Sequence, residues 1–323
     1  MKPMLFLLLM SALPLHAQFT YAPVNVPGAL YTVARGINNT GLVVGMYGTM
    51  SCTNYDRNVP NCPTKGFKLV NGSYIKLMVP GSYTTAIMGV NDLGDLVGFY
   101  SQLVNGCTVP VYHGFIWYHT NVVKTIDAPG TDFCGTDSGI TVATGINKAG
   151  TVVGGVWSFG PSGTFPESGW VWVNGTFQPM NPQAPGSAAP CCWSVNGIAN
   201  NGIISGQVFQ SDFNMAWLKE ASDEDFYEFF TAPANGGDTF GTGVDSATDV
   251  IGFATQAGGF FAKHIELNEG TNDAVEVHPG FLKVSYPGAQ FTIPFGINDA
   301  RYLAGTYYDS NGGQHGFIAK PNF

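Results

Sequence analysis

The stretch from Val26 to Tyr47, VPGALYTVARGINNTGLVVGMY, decides the fold of this chain. It leaves a Pro-Gly turn, runs through an apolar segment to Gly36-Ile37-Asn38, turns over Asn38-Asn39-Thr40-Gly41 and returns through a second apolar segment holding Gly45. Two short β-rich runs around a turn of Asx and Gly, which supply positive φ angles and side-chain bonds, read as a β-hairpin. The signature recurs. Gly-Ile-Asn or a close relative stands at Gly36, Gly89, Gly145, Gly197, Gly243 and Gly296, each followed nine residues on by Gly45, Gly98, Gly154, Gly206, Gly252 or Gly305. A Pro-Gly or its remnant precedes each unit, at Pro27, Pro80, Pro129, Pro185, Pro233 and Pro287.

Downstream of each hairpin comes a small residue and an aromatic: Gly66-Phe67, Gly114-Phe115, Gly169-Trp170, Ala216-Trp217, Gly259-Phe260 and Gly316-Phe317. These open a second hairpin, with Asn71-Gly72 and Asn174-Gly175 as turns. Four short strands per repeat of about 50 residues make a propeller blade. The segment from Phe19 to Val26 has the pattern of a blade's fourth strand, and the last unit stops after its third. The sequence therefore predicts an all-β chain: a six-bladed β-propeller of four-stranded antiparallel blades, one domain over 18–323. The N-terminal strand joins the last blade, which leaves no open sheet edge.

Residues 1–17 read as a secretory signal peptide, with Lys2, an apolar run from Met4 to Leu13, and a small-residue end at Ala17. That run is too short to span a bilayer and no later run is longer, so the expectation is a protein without a membrane span, released to the periplasm or medium. Net charge is −9 with 13 Lys and Arg spread thinly, which offers no basic stripe for phosphates and argues against nucleic acid as a partner.

The segments VPGALYTVARGINNTGLVVGMY, HGFIWY with VKTIDAPG, and GINDARYLAGTYYDSNGGQHGFI resemble the HAF-repeat family of extracellular repeat proteins. The resemblance spans nearly all of 18–323 and is closest in units one, two, three and six. Unit four has Ala199 in place of the Asn, and unit five has Asp245 and only Pro233-Ala234. It implies a secreted repeat protein of unassigned activity and carries over no catalytic residues.

Variation between units falls on long connections that a propeller opens on one face. They hold all six cysteines: Cys52, Cys62, Cys107, Cys134, Cys191 and Cys192. An even number in a secreted chain reads as disulfides, and among fifteen connectivities we expect Cys52 with Cys62, Cys107 with Cys134, and Cys191 with Cys192. The same connections carry Tyr55, Asp56, Arg57, Tyr112, Asp132, Asp137, Trp157 and Trp193, aromatics with a few carboxylates that suit capture of an extracellular carbohydrate or protein ligand.

The Asn repeated at 38, 91, 147 and 298 is read as a hairpin cap rather than a calcium ligand. His113 and His315 sit at equivalent blade positions, which argues for structural hydrogen bonds. Unit five has a long insertion with His264, Glu266, Glu269, Asp273, Glu276 and His278, read as a solvated hairpin extension, with a metal site as the alternative because His264 and Glu266 would face one side of a strand. No nucleophile elbow, zincin helix, phosphate loop or dinucleotide fingerprint is present, so no cofactor or metal is assigned. Two functional readings remain: a secreted noncatalytic binding propeller, and a propeller hydrolase or lyase that acts on extracellular polysaccharide.

Overall fold

The computed structural model describes residues 18–50, 63–107, 110–131, 139–160, 163–180, 182, 192–209, 214–220, 227–232, 237–265 and 281–323. Within them the chain forms six four-stranded sheets. Strand β1 (Phe19–Val24) comes first. The first sheet is β2 (Tyr31–Ile37), β3 (Val43–Gly48), β4 (Lys65–Val70) and β5 (Ser73–Leu77), and the second is β6 (Thr84–Val90), β7 (Leu96–Gln102), β8 (Val111–Trp117) and β9 (Val123–Ile126). The third is β10 (Ile140–Ile146), β11 (Val152–Gly160), β12 (Gly163–Val173) and β13 (Thr176–Met180). The fourth is β14 (Cys192–Ile198), β15 (Ile204–Phe209), β16 (Asn214–Lys219) and β17 (Glu228–Phe230), and the fifth is β18 (Thr239–Val244), β19 (Val250–Ala254), β20 (Gly258–Ala262) and β21 (Phe281–Val284). The sixth takes β22 (Phe291–Ile297), β23 (Leu303–Tyr308) and β24 (Gln314–Pro321), with β1 as its outer strand.

This is the six-bladed propeller the repeat predicts, closed as expected. Strand β1 runs antiparallel to β24 from Phe19 opposite Pro321 to Val24 opposite Gly316. The turn chemistry follows the sequence: Asn71 and Gly72 have φ of 49° and 78°, and Asn174 and Gly175 have 50° and 95°. The core is a set of layers between neighbouring sheets. Val24, Val26 and Ala304 of the sixth sheet side pack with Ala34, Val43 and Phe67 of the first, and Val153 and Met180 of the third pack with Val195, Met215 and Trp217 of the fourth. Fully burying a side chain such as Phe67 or Trp217 contributes roughly 1.5–3 kcal/mol or more, so each seam between blades is held mainly by these apolar contacts.

The second glycine of each repeat has a steric cause. Gly45, Gly98, Gly154, Gly206, Gly252 and Gly305 lie directly opposite Phe67, Phe115, Trp170, Trp217, Phe260 and Phe317. A Cβ at any of the six would stand 1.9–2.4 Å from a carbonyl oxygen of the preceding strand, and at all but Gly98 it would also meet the facing ring, 2.3 Å from Trp217 for Gly206 and 2.6 Å from Phe317 for Gly305. Another repeated tie joins successive blades. Thr32, Thr85, Thr141, Thr239 and Thr292, one near the start of each of five inner strands, accept a hydrogen bond from the backbone N–H just before the Pro-Gly turn: Val26, Val79, Ala128, Ala232 and Tyr286. Trp193 takes that position in the fourth blade.

The first glycines form a ring on the axis. Each inner strand carries a β-bulge at this point, and each glycine meets the backbone of the next blade. A Cβ on Gly197 would stand 3.0 Å from the Cα of Gly243, and one on Gly296 would stand 2.8 Å from both the Arg35 carbonyl oxygen and the Gly36 Cα. Backbone cannot yield as a flexible side chain does. Gly296→Ala should therefore cost about 1–3 kcal/mol and lower the thermal midpoint. An unchanged midpoint in calorimetry would show that the ring is not packed this closely.

Candidate functional site

The inner strands run from the face where the long connections open toward the face of the tight hairpin turns, so successive positions along them form layers down the axis. On the loop side lies a funnel of about 1150 Å³. Its floor is a ring of six branched aliphatic side chains: Ile37, Val90, Ile146, Ile198, Val244 and Ile297. Immediately above the floor come the bulge residues, Arg35, Met88, Thr144, Asn196, Thr242 and Phe295. Being left out of the ladder, a bulged residue is re-aimed away from its sheet, and all six line the funnel. Aromatics from the upper strands form the walls. Phe240 and Phe253 stack at 4.5 Å between ring centroids, Phe209 lies 6.2 Å from Phe240, and Phe99 lies 6.1 Å from Tyr112 across the funnel's other flank.

The polar side chains of the bulge ring are engaged within the scaffold. Thr144 donates to the Val195 carbonyl at 2.7 Å, Asn196 to Gly241 at 2.6 Å and Thr242 to Pro294 at 2.7 Å, each tying its blade to the next. Arg35 is the only charged side chain among the described lining residues. Its guanidinium carbon stands 3.9 Å above the centre of the Phe295 ring.

Of the predicted ligand residues, Tyr112 and Trp157 line the funnel. Trp193 does not; it packs behind the inner strand, against the cluster that holds Val195 and Trp217. Tyr55, Asp56 and Arg57 lie outside the described residues, but Met50 and Thr64, on either side of that segment, line the funnel. Asp132 and Asp137 also lie outside, as do Cys52, Cys62, Cys134 and Cys191. Cys107 follows β7 and Cys192 opens β14. In the unit-five insertion, residues 266–278 lie outside the described residues, while the backbone N–H of His264 donates to Asp249 at 2.7 Å. Sequence reading missed the bulge ring, since neither hydrophobic alternation nor turn chemistry marks the residue before each first glycine.

His113 and His315 make the expected structural bonds. His113 Nδ1 lies 3.0 Å from Asp127 and His315 Nδ1 lies 3.3 Å from Asn25, the equivalent position after the outer strand. Each imidazole also lies 5.1 Å from the ring of a tyrosine on the neighbouring strand, Tyr100 or Tyr307.

Below the aliphatic floor lies a second, polar cavity of about 50 Å³. The repeated Asn caps its hairpin as predicted: Asn38 Oδ1 accepts from the N–H of Thr40 and of Leu42, and Asn298 Oδ1 accepts from Ala300 and Tyr302. The amide nitrogen has a further role. It donates across the seam to the next blade's backbone, from Asn38 to Asn91 at 2.8 Å, from Asn91 to Asn147 at 3.2 Å and from Asn298 to Asn38 at 3.0 Å. Below this ring, Asn39 and Asn200 each bond both Asp92 and Asp299 and close the axis. Burial acts to raise the Asp299 carboxyl, but hydrogen bonds from Ser246, Asn39 and Asn200 outweigh it and hold the group below its ordinary range.

No family model matches the chain, and no curated protein matches it. Similar solved structures include the β-propeller domain of the Trilobed protease from Pyrococcus furiosus, 8% identical with a TM-score of 0.45 over 90% of this chain and 94% of that one. An α-L-arabinanase of Penicillium chrysogenum is 11% identical with a TM-score of 0.46, over 93% and 96% of the two chains. The polysaccharide lyase Uly1 is 11% identical with a TM-score of 0.42, over 90% and 77%. The blade count and the closure rest on the strand pairing of this chain itself.

In the fifth blade Asp245 replaces the repeated Asn. Its Oδ1 keeps the cap, accepting from Ala247 at 2.9 Å and Asp249 at 3.0 Å, which leaves Oδ2 where the siblings carry their donating amide. Oδ2 is buried without a partner. Burial and the nearby Asp249 carboxylate, itself bonded to Arg301, push Asp245 up to about 7. A carboxyl raised on folding binds its proton more tightly in the folded state, so its stabilising share is full below about pH 4 and lost as pH rises through about 7. Asp245→Asn should therefore match the parent near pH 4 and melt at increasingly higher temperature than it up to about pH 7. A difference in midpoint that stays constant from pH 4 to 8 would mean that this carboxyl does not titrate in that window.

Proposed function

We propose that this protein is a noncatalytic binding propeller that works outside the cell, one of the HAF-repeat extracellular proteins, with the axial funnel as its ligand site. The observation that carries the reading is the lining of the funnel. It is a large, mostly apolar concavity with a few convergent polar groups, the usual form of a small-ligand site. Its described lining residues include no carboxylate, histidine, lysine or cysteine. Hydrolysis or elimination at a glycosidic bond calls for a paired acid and base beside the scissile atoms, and among the described lining residues only the tyrosines Tyr31, Tyr112 and Tyr308 are of a type that moves a proton. The candidates Tyr112 and Trp157 stand in the wall, and Met50 and Thr64, described residues on either side of 51–62, line the funnel as well. Disulfides and export belong to the same reading, supported by the leader-like residues 1–17 and by the even number of cysteines, six.

Titration calorimetry of the whole chain against a panel of oligosaccharides, peptides and apolar small molecules should find saturable binding with no product released. Trp157→Ala and Phe240→Ala should each weaken that binding about tenfold or more while the folded state is retained. Shortened oligosaccharide that appears on incubation and vanishes in Asp56→Asn, Asp132→Asn or Asp137→Asn would replace this reading with the hydrolase or lyase.

A further inference from the structure

We propose that the polar cavity on the turn side of the axis, separate from the funnel, binds a monovalent alkali cation, sodium or potassium, with the Asp245 carboxylate and the Asn298 carbonyl as its fixed ligands.

The donors of the turn-side ring fail at two successive blades. Where the ring is complete, each hairpin carbonyl accepts twice. That of Asn91 takes the Gly94 N–H of its own turn at 3.1 Å and the Asn38 amide at 2.8 Å, and that of Asn38 takes Gly41 at 3.0 Å and the Asn298 amide at 3.0 Å. Ala199 has no amide to offer the fifth blade, and Asp245 has none to offer the sixth. Among the described residues the Asn298 carbonyl therefore keeps only the Arg301 N–H of its own turn, at 2.7 Å. Because Asp245 Oδ1 holds the cap, the atom that takes the place of the donating amide is Oδ2. By the equivalence of the blades, an acceptor then faces an acceptor across this seam.

Asp245 is 2% exposed, its Oδ2 has no partner, and it lines the cavity together with Ala199 and Asn298. A buried carboxylate oxygen with neither donor nor counter-ion is costly, and such a group in a folded protein calls for a water or an ion. Charge decides for the ion. The charged groups that act on Asp245 are Asp249 of its own turn and Asp299 of the sixth blade. Asp249 is occupied by Arg301 and by the His264 N–H, and no lysine or arginine is among the described residues that line the cavity. A water would bring hydrogens but no positive charge, whereas carboxylate, carbonyl and water oxygens suit a hard cation. The number of carboxylates indicates a single charge. Among the described residues no three acidic, histidine or cysteine side chains gather as metal ligands, and the Oδ2 atoms of Asp92 and Asp299 accept from Asn39 and Asn200. One carboxylate with neutral oxygens balances one positive charge. Size agrees, since about 50 Å³ takes a small ion with a water beside it at roughly 30 Å³ per water. A proton on Oδ2 would satisfy the same seam, so proton and ion compete, and the ion has the place to itself above about pH 7.

The test is scanning calorimetry of the whole chain at pH 8, with tetramethylammonium chloride, whose cation is too large for the cavity, replaced stepwise by sodium chloride or potassium chloride at constant total chloride. The thermal midpoint should rise by about 2–4 °C and then level off, because the smaller ion binds only the folded state. Asp245→Asn, which restores the amide of the sibling blades, should melt above the parent in tetramethylammonium chloride and show no rise with either salt. If Asp245→Asn fails to fold, Asp245→Ser, which keeps a capping oxygen without the charge, takes its place and should likewise show no rise. A parent midpoint that is the same in all three salts overturns the proposal, as does a rise of equal size in the variant. A rise with calcium chloride at matched ionic strength that neither sodium nor potassium produces overturns it in favour of a divalent ion.

Discussion

The structure depends on backbone meeting backbone at the axis. Six inner strands converge there, and at Gly36, Gly89, Gly145, Gly197, Gly243 and Gly296 they come so close that a Cβ would stand about 3 Å from atoms of the next blade at five of the six positions. A ring of six sheets can close at this radius only if the residue at the crossing has no side chain. The bulge next to each glycine follows from the same crowding, since turning one residue out of the ladder lets the strand bend past its neighbour. From that one requirement come both the narrow waist and the six side chains displayed just above it.

The waist divides the axis into two environments built from one repeat. On the loop side, apolar walls and the bulge ring surround a funnel. On the turn side, Asn38, Asn91, Asn298 and their neighbours knit the blades through amide-to-carbonyl bonds, and Asn39 and Asn200 bracket Asp92 and Asp299. The aliphatic ring of Ile37, Val90, Ile146, Ile198, Val244 and Ile297 lines both cavities and separates them. A ligand entering from the loop face therefore meets a closed end, and the carboxylates of the far side are not available to it.

The fold was legible because each constraint that builds it recurs six times. The two glycines have steric causes in every blade, the Asn caps every hairpin but the fourth and fifth, and β1 completes the sixth sheet as the pattern of its residues implied. The site was much less legible. Loop variation drew attention to Tyr112 and Trp157, which do line the funnel, and to Trp193, which packs behind it because it takes the place of the seam threonine. The bulge ring went unnoticed for a physical reason: hydrophobic alternation and turn chemistry give no sign of a residue that a bulge turns out of its ladder, and Arg35, Met88, Thr144, Asn196, Thr242 and Phe295 share no property that would flag them as a set.

That lack of a shared property is itself informative. Positions flanking the first glycine are fixed by packing: a branched aliphatic must follow it to seal the floor, and small or apolar residues precede the bulge against the neighbouring sheet. The bulge residue projects into open space and answers to neither demand. In blades three, four and five it is still recruited to the scaffold, through Thr144, Asn196 and Thr242 and their bonds to the next blade's carbonyls. In blades six, one and two, which are adjacent around the ring, it is Phe295, Arg35 and Met88. The chain thus holds half of its innermost ring rigid through hydrogen bonds and places on the other half a cation between an aromatic face and a thioether. A fold of near six-fold symmetry is thus made unequal from one side of its innermost ring to the other.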